Sequence, residues 1–340
     1  MSKKLPIYTF FKIYDSYRRG KEICSYFPVK LWIETTNRCN LSCALCPNSK
    51  LGPGQRGDMD YGLYIKIIDQ AQGNVSEINL FHRGEPLLHS QLIEMIDYAS
   101  KKNIRTRIHT NATLLDTLLN KSLIESGLDF ITFSVDSYIK EEYERLKPGA
   151  DFDEVLQKIT GFLSQKKETK SKKPFCTIQI MNTNGKDGLI KNKKQLKDFL
   201  YKFSGLPLDR IARRTPHNWG GMLKGGNGNT DFTSNKGSAL QAKITSACTF
   251  PWYSLTVFFD GKVYLCPQDF GGSIMVGDAN TENLAGIFNG GAIKNIRKKH
   301  SKKDILDLWP CNSCDRVRRK TIAKVPSEYL GFFSRGIFNK

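Results

Sequence analysis

From Leu31 to Arg214 short apolar runs alternate with amphipathic stretches. The runs are rich in β-branched and aromatic residues, and they predict strands at Leu31–Glu34, Glu77–Phe81, Arg105–Thr110, Phe130–Val135, Phe175–Met181 and Arg210–Arg214. Between them apolar positions recur at helical spacing. These predict helices at Tyr61–Ala71, Gln91–Lys101, Leu114–Ser126, Phe152–Gln165 and Leu189–Phe203. Regular alternation of this kind joins parallel strands by helical crossovers. Six such units, with no seventh or eighth, predict an α/β fold: a partial (β/α)6 barrel open on one side. Ligands of parallel α/β folds bind at the C-terminal ends of strands, so the segments just after each strand are where chemistry is expected.

The pattern breaks after residue 215. Trp219-Gly220-Gly221 and Gly225-Gly226-Asn227-Gly228-Asn229 predict a loop, a domain boundary that also serves as a wall of the substrate site. Beyond it, Asp260-Gly261 between Ser254–Phe259 and Lys262–Leu265 predicts a β-hairpin. Short helices are expected at Glu282–Phe288 and Ala292–Lys299. At the N-terminus Phe10, Phe11, Tyr14 and Tyr17 fall near helical spacing, ahead of Arg18, Arg19 and Lys21; the tail carries Tyr329, Leu330, Phe332, Phe333, Ile337 and Phe338. Both ends are expected to pack across the open barrel mouth, with peripheral contact to an acidic membrane as the less favoured alternative. The expected division is an N-terminal arm (1–30), a partial barrel (31–215), a Gly-rich linker (216–247), a small C-terminal subdomain (248–314) and a basic aromatic tail (315–340).

Composition narrows the class. No run approaches a membrane span and no signal-peptide pattern opens the chain, which leads to the expectation of a soluble, cytoplasmic protein. Nine cysteines in that setting point to metal or redox chemistry rather than disulfides. The net charge of +19 favours anionic partners, or else reflects a chain rich in lysine whose basic runs are solvated.

The cysteines carry the chemistry. Cys39, Cys43 and Cys46 follow the first strand with spacing C-x3-C-x2-C. Three thiolates can hold three irons of a cubane and leave the fourth open, whereas clusters normally take four cysteines. The competing arrangement is zinc held by the same thiolates and one of His82, His89 or His109. A second set, Cys248, Cys266, Cys311 and Cys314, has the hairpin between its first two members and a compact C-x2-C at its end. Four thiolates saturate one cubane; a structural zinc is again the rival. Cys176 is expected as a buried small hydrophobe, and Cys24 has no assigned role.

Other polar residues cluster at predicted strand ends. Arg83-Gly84-Glu85-Pro86 follows the second strand, Asn111 the third, and Ser134 and Asp136 end the fourth. Capping of the following helix is the ordinary alternative for the last two. The cysteine triplet, Gly84-Glu85-Pro86 and Ser134-Val135-Asp136 together resemble the radical S-adenosylmethionine (radical SAM) superfamily. The resemblance runs from Leu31 to Arg214, and the later cysteines resemble its SPASM/twitch auxiliary-cluster extension.

That resemblance implies two [4Fe-4S] clusters and S-adenosyl-L-methionine, bound through Arg83, Gly84, Glu85, Asn111, Ser134 and Asp136. Arg83 replaces the first Gly of the family's Gly-Gly-Glu motif, which shifts its expected partner to a carboxylate. Gln179, Arg213, Arg214, His217 and Trp219 are candidate substrate contacts, although a His beside a Trp is more often simply packed. The implied reaction is reductive cleavage of S-adenosylmethionine to a 5′-deoxyadenosyl radical and hydrogen abstraction from a substrate. The substrate is expected to be an anionic or sugar-like small molecule undergoing oxidation or dehydration, with the auxiliary cluster taking or relaying an electron and flavodoxin or ferredoxin as donor. Peptide or protein maturation is a second reading, and a zinc-stabilised, non-enzymatic nucleic-acid-binding protein a third.

Overall fold

The computed structural model describes residues 7–181, 192–223, 244–318, 321–322 and 325–326. The chain opens with helix α1 (Ile7–Arg19) and strand β1 (Lys30–Ile33). It continues as α2 (Tyr61–Ala71), β2 (Glu77–Asn79), α3 (Leu92–Lys101), β3 (Arg105–Thr110), α4 (Thr117–Glu125) and β4 (Phe130–Asp136). Then come α5 (Lys140–Leu146), α6 (Phe152–Glu168), β5 (Phe175–Met181), α7 (Lys193–Tyr201) and β6 (Arg210–Arg214). Strands β1 to β6 are parallel neighbours in chain order, as the alternation requires.

Helix starts follow their caps. Asp60, Asp116, Asp151 and Asn192 each accept a hydrogen bond from the backbone N–H three residues on, at 2.7–3.0 Å. Asp116 therefore sets the start of α4 at Thr117, three residues later than the apolar pattern predicts, and Asn192 sets α7 at Lys193. Helix α5 is not anticipated by periodicity: it buries only Tyr143 and Leu146 of seven residues.

Along β1, Leu31 and Ile33 are fully buried while Lys30 and Trp32 are not. The buried face packs with Tyr64, Ile67 and Ile68 of α2 and Met95 and Ile96 of α3 in one continuous core. Each such side chain contributes roughly 1.5–3 kcal/mol by leaving water. The other face of the sheet lines the interior of the open barrel.

The C-terminal hairpin does not stand apart from this sheet. Strand β7 (Ser254–Val257) pairs parallel with β1, from Lys30 opposite Ser254 to Ile33 opposite Val257. Antiparallel β8 (Lys262–Tyr264) and β9 (Met275–Asp278) follow. Among the described residues this makes one open sheet of nine strands, ordered β6-β5-β4-β3-β2-β1-β7-β8-β9. Gly261 turns the hairpin with φ +86°, a conformation glycine adopts without strain. Helix α8 (Leu284–Phe288) lies against β9, Ile287 facing Gly277; α9 (Gly291–Lys302) packs on the turn before β7, where Arg297 Nε donates to Pro251 O at 2.9 Å; and a two-residue pair, β10 (Thr321–Ile322) with β11 (Val325–Pro326), follows.

The N-terminal arm packs on the C-terminal segment rather than across the barrel mouth. Tyr17 meets Trp252 edge-on at 5.5 Å and donates its hydroxyl to Ala247 O at 3.1 Å. The reason is that Phe10, Ile13 and Tyr17 form one buried face of α1, while Phe11 faces solvent. The aromatic tail and the loop at 225–229 lie outside the described residues. Among the described residues no helix is long and apolar enough to cross a membrane.

Candidate active site

The cysteine triplet sits in the long connection after β1, and side-chain amides bonded to its backbone help hold that connection in shape. Asn37 donates to Gln55 O at 2.7 Å and accepts from Gly57 N at 2.8 Å. Asn48, two residues after Cys46, donates to the carbonyls of Asn37 and Arg83. Ala44 N bonds Leu146 O at 2.9 Å, anchoring the triplet to the end of α5. Gly84 closes against the same loop: a Cβ there would lie 2.4 Å from Thr36 O and 2.5 Å from Arg38 O. Its missing side chain thus admits the cysteine loop, with Glu85 N bonded to Arg38 O at 2.9 Å.

Cys39, Cys43 and Cys46 are half-buried. Burial pushes the Cys46 thiol up to about 12, with the neighbouring Cys43 and Cys39 adding to the effect. Glu85 is buried and accepts from Leu87 N at 3.1 Å and Asn111 N at 2.7 Å; burial raises its carboxyl to about 6. Asn111 donates to Asn40 Oδ1 at 2.9 Å, so the end of β3 is tied to the residue after Cys39. Ser134 sits at the register break near the end of β4. Asp136 follows with φ +65° and pairs with Lys147 at 2.9 Å, while its other oxygen is buried without a partner in the structure.

Lys147 is the residue that sequence reasoning missed. It is buried, its ammonium is favoured by Asp136 and Cys43, and its charge is felt at Cys39, Cys46 and Glu85. Its only sequence signal is a Lys-Pro-Gly turn behind a helix that periodicity does not reveal.

Arg83 does find a carboxylate, but it belongs to this chain. Its Nε and Nη2 bond both oxygens of Glu34 at 2.6 and 2.8 Å, and its guanidinium lies 3.6 Å from the Phe258 ring centre. Glu34 also accepts from Phe259 N at 3.2 Å, and its carboxyl is held at about 2 against the opposing effect of burial. Next door, His82 Nε2 is 2.9 Å from Pro267 O, beside Cys266. Arg83 and His82 therefore join the barrel to the C-terminal hairpin.

Trp219 makes a second junction. Its indole N–H donates to Leu45 O at 3.0 Å and its ring meets Phe270 edge-on at 5.2 Å. His217 lies edge-on to Trp219 at 6.2 Å. Gln179 is buried on the interior face of β5. Arg213 pairs in register with Ile180, so Arg214, opposite Met181, is the arginine that shares the face of Gln179.

In the second set Cys266, Cys311 and Cys314 are buried and Cys248 half-buried. Burial, with Asp315 and Cys248 nearby, raises the Cys314 thiol to about 12; burial also pushes the Cys266 and Cys311 thiols well up, with Cys248 and Cys314 adding to both and Cys266 adding to Cys311. Cys176 is buried as expected, and Cys24 is buried with its backbone bonded on both sides by the Asn289 amide. All nine cysteines are free thiols.

As they stand, no three His, Cys, Asp or Glu among the described residues close on one point as ligands of a single metal ion. The fit to a cofactor is therefore one of donor chemistry. Each set is all thiol, gathered within one electrostatic field, and the first has a buried cation beside it to offset an anionic group.

Comparison with known proteins places this arrangement. Residues 33–180 match the Radical SAM superfamily and residues 248–315 match an iron-sulfur cluster-binding domain, SPASM. The chain is a radical SAM superfamily protein with a C-terminal SPASM domain. Its cofactors are accordingly [4Fe-4S] clusters and S-adenosylmethionine, and iron–sulfur rather than zinc is the reading of its two cysteine-bearing domains.

A tungsten-containing aldehyde ferredoxin oxidoreductase cofactor-modifying protein of Pyrococcus furiosus is 29% identical over 184 residues, 53% of this chain and 49% of that protein. A PqqA peptide cyclase of Gluconobacter oxydans is 29% identical over 120 residues, 35% of this chain and 33% of that protein. The chain thus spans half or less of these curated relatives. Among solved structures, native anSMEcpe with bound AdoMet gives a TM-score of 0.58 at 17% identity, covering 92% of this chain and 97% of that one. BtrN in complex with AdoMet and 2-DOIA gives 0.56 at 18%, covering 84% and 92%. At these identities the likeness is one of fold.

Proposed function

We propose that the chain is a radical SAM oxidoreductase in which Cys39, Cys43 and Cys46 hold a [4Fe-4S] cluster and Cys248, Cys266, Cys311 and Cys314 hold a second. The observation that carries this reading is that the cysteine loop is tied to the residues after β2, β3 and β4: Glu85 N bonds Arg38 O, Asn111 bonds Asn40, and Ala44 N bonds Leu146 O beside the Asp136–Lys147 pair. When bound, the first cluster and S-adenosylmethionine supply a 5′-deoxyadenosyl radical. Around them Glu85 offers an acceptor to the cofactor's ammonium, and Lys147 offers a donor to its carboxylate. Asn111, Ser134 and the free oxygen of Asp136 complete the polar rim. The cysteine loop, braced by Asn37, Asn48 and Gly84, would limit water at a cluster held by Cys39, Cys43 and Cys46. The substrate would lie in the barrel interior near Gln179 and give a hydrogen atom to the deoxyadenosyl radical; the remaining electron would pass to the cluster that Cys248, Cys266, Cys311 and Cys314 would hold, and the proton to a base or water.

Peptide modification is the second reading, motivated by the 29% identity to a peptide cyclase. Anaerobic reconstitution followed by dithionite reduction tests the main one. Wild-type protein is expected to form 5′-deoxyadenosine and Cys43→Ala none; undiminished formation in Cys43→Ala overturns the assignment. Cys314→Ala is expected to keep this cleavage and lose net substrate oxidation.

A further inference from the structure

Two consecutive residues, Asn218 and Trp219, touch the loops of both cysteine sets. The Asn218 amide nitrogen donates to Ser313 O at 2.7 Å, and its oxygen accepts from Asp315 N at 3.4 Å. Ser313 and Asp315 flank Cys314, so one side chain holds the peptide groups on both sides of that thiol. Next to it the Trp219 indole donates to the carbonyl of Leu45, the residue before Cys46. A little further along, Met222 O accepts from Lys50 Nζ at 3.0 Å, a second bond to the loop of the first set.

The segment is shaped for these contacts. Trp219, Gly220 and Gly221 all have a left-handed backbone, with φ of +49°, +65° and +94°. A tryptophan seldom adopts that conformation, which persists only where the surroundings hold it. The turn closes on Asn218 O, which accepts from Gly221 N at 2.9 Å and Leu223 N at 3.2 Å. It comes so near the second cysteine turn that a Cβ on Gly220 would lie 2.6 Å from Pro310 Cβ, and one on Gly221 2.9 Å from Ser313 Cβ. Pro310 and Ser313 stand on either side of Cys311. The 218–222 turn is therefore wedged between the two sets and bonded to each.

Peptide dipoles beside a cysteine ligand, and the water that reaches it, set the potential of an iron–sulfur cluster. We infer that Asn218 is a positioning residue that tunes the potential of the cluster assigned to Cys248, Cys266, Cys311 and Cys314, and that Trp219 pins the turn carrying Cys314 to the loop carrying Cys46. The inference rests on the second set holding a cluster, as proposed above.

The test is an anaerobic redox titration followed by electron paramagnetic resonance. It is run in a Cys43→Ala background, where the reducible cluster that remains is the second. Asn218→Asp loses the donor to Ser313 O and adds negative charge beside a group that becomes more negative on reduction. It is expected to lower the ratio of reduced to oxidised cluster about tenfold at fixed potential, a fall of about 59 mV for one electron. Asn218→Ala frees the turn and admits water, which favours the more negative state, and is expected to shift the ratio the other way. Opposite shifts from one position are not produced by a general loss of structure. Asn295→Asp adds the same charge at an exposed position on α9 and is expected to change the ratio less than twofold. Less than twofold change in both Asn218 variants, or an equal shift in Asn295→Asp, overturns the tuning role. Trp219→Phe is expected to leave the potential in place while speeding amide hydrogen exchange in the 39–56 loop about fivefold; unchanged exchange overturns the pinning role. Cys43→Ala protein that holds zinc and no reducible cluster refutes the reading of the second set and the inference with it, whereas a reducible cluster indifferent to Asn218 refutes the inference alone.

Discussion

Replacing Arg83 by methionine removes one half of a fully buried ion pair between the barrel and the C-terminal hairpin. Glu34 has no exposed surface, and Arg83 holds both of its oxygens while lying against Phe258. An ordinary glutamate titrates at 4.5 and this one at about 2, lowered by Arg83 and His82 against the effect of burial. That difference corresponds to about 3 kcal/mol of stability at neutral pH, in line with the 3–5 kcal/mol typical of breaking one side of a buried pair. Because the folded value is depressed, the contribution is present above 4.5 and disappears as the pH falls through about 2. The assay is anaerobic urea unfolding of wild type, Arg83→Met, Glu34→Gln and the double variant at matched iron content, followed by far-UV circular dichroism. Arg83→Met is expected to lose about 3 kcal/mol, and the double variant to lose less than the sum of the single ones, since neither partner is then left charged and alone. A loss below about 1 kcal/mol, or strict additivity, refutes the pair as the junction between the two parts.

Three further perturbations follow from the geometry. Gly84→Ala places a methyl within 2.5 Å of two carbonyls of the cysteine loop and is expected to cost about 1–3 kcal/mol, read as a lowered unfolding midpoint together with lower iron content after reconstitution. Trp219→Phe removes the donor to Leu45 O and is expected to cost about 1 kcal/mol while speeding proteolytic cutting of the 39–56 loop, with unchanged cutting as the contrary result. Lys147→Met leaves Asp136 buried without its cation; it is expected to lose about 3–5 kcal/mol at neutral pH, and Asp136→Asn with Lys147→Met is expected to recover part of that in thermal unfolding.

The two cysteine-bearing regions, matched at residues 33–180 and 248–315, were legible because C-x3-C-x2-C and C-x2-C spacings stand out in the chain. The parallel order was legible because a period of two alternating with a period of 3.6 leaves few topologies open. Helix α5 was not, since seven residues with two buried positions carry too little periodicity. Lys147 was hidden with it. Arg83 stood out as a departure from a family motif, but nothing near it in the chain identifies Glu34 as its partner, 49 residues earlier.

The sequence by itself determined the kind of chemistry and the βα order, because both are written in local spacing. The tertiary structure decided which faces meet: β7 joining β1 to extend the barrel's sheet, α1 lying on the turn at Trp252, and Arg83 meeting Glu34 and Phe258. Those pairings depend on long-range register and on the burial of one face over another, and neither leaves a mark within any window of neighbouring residues.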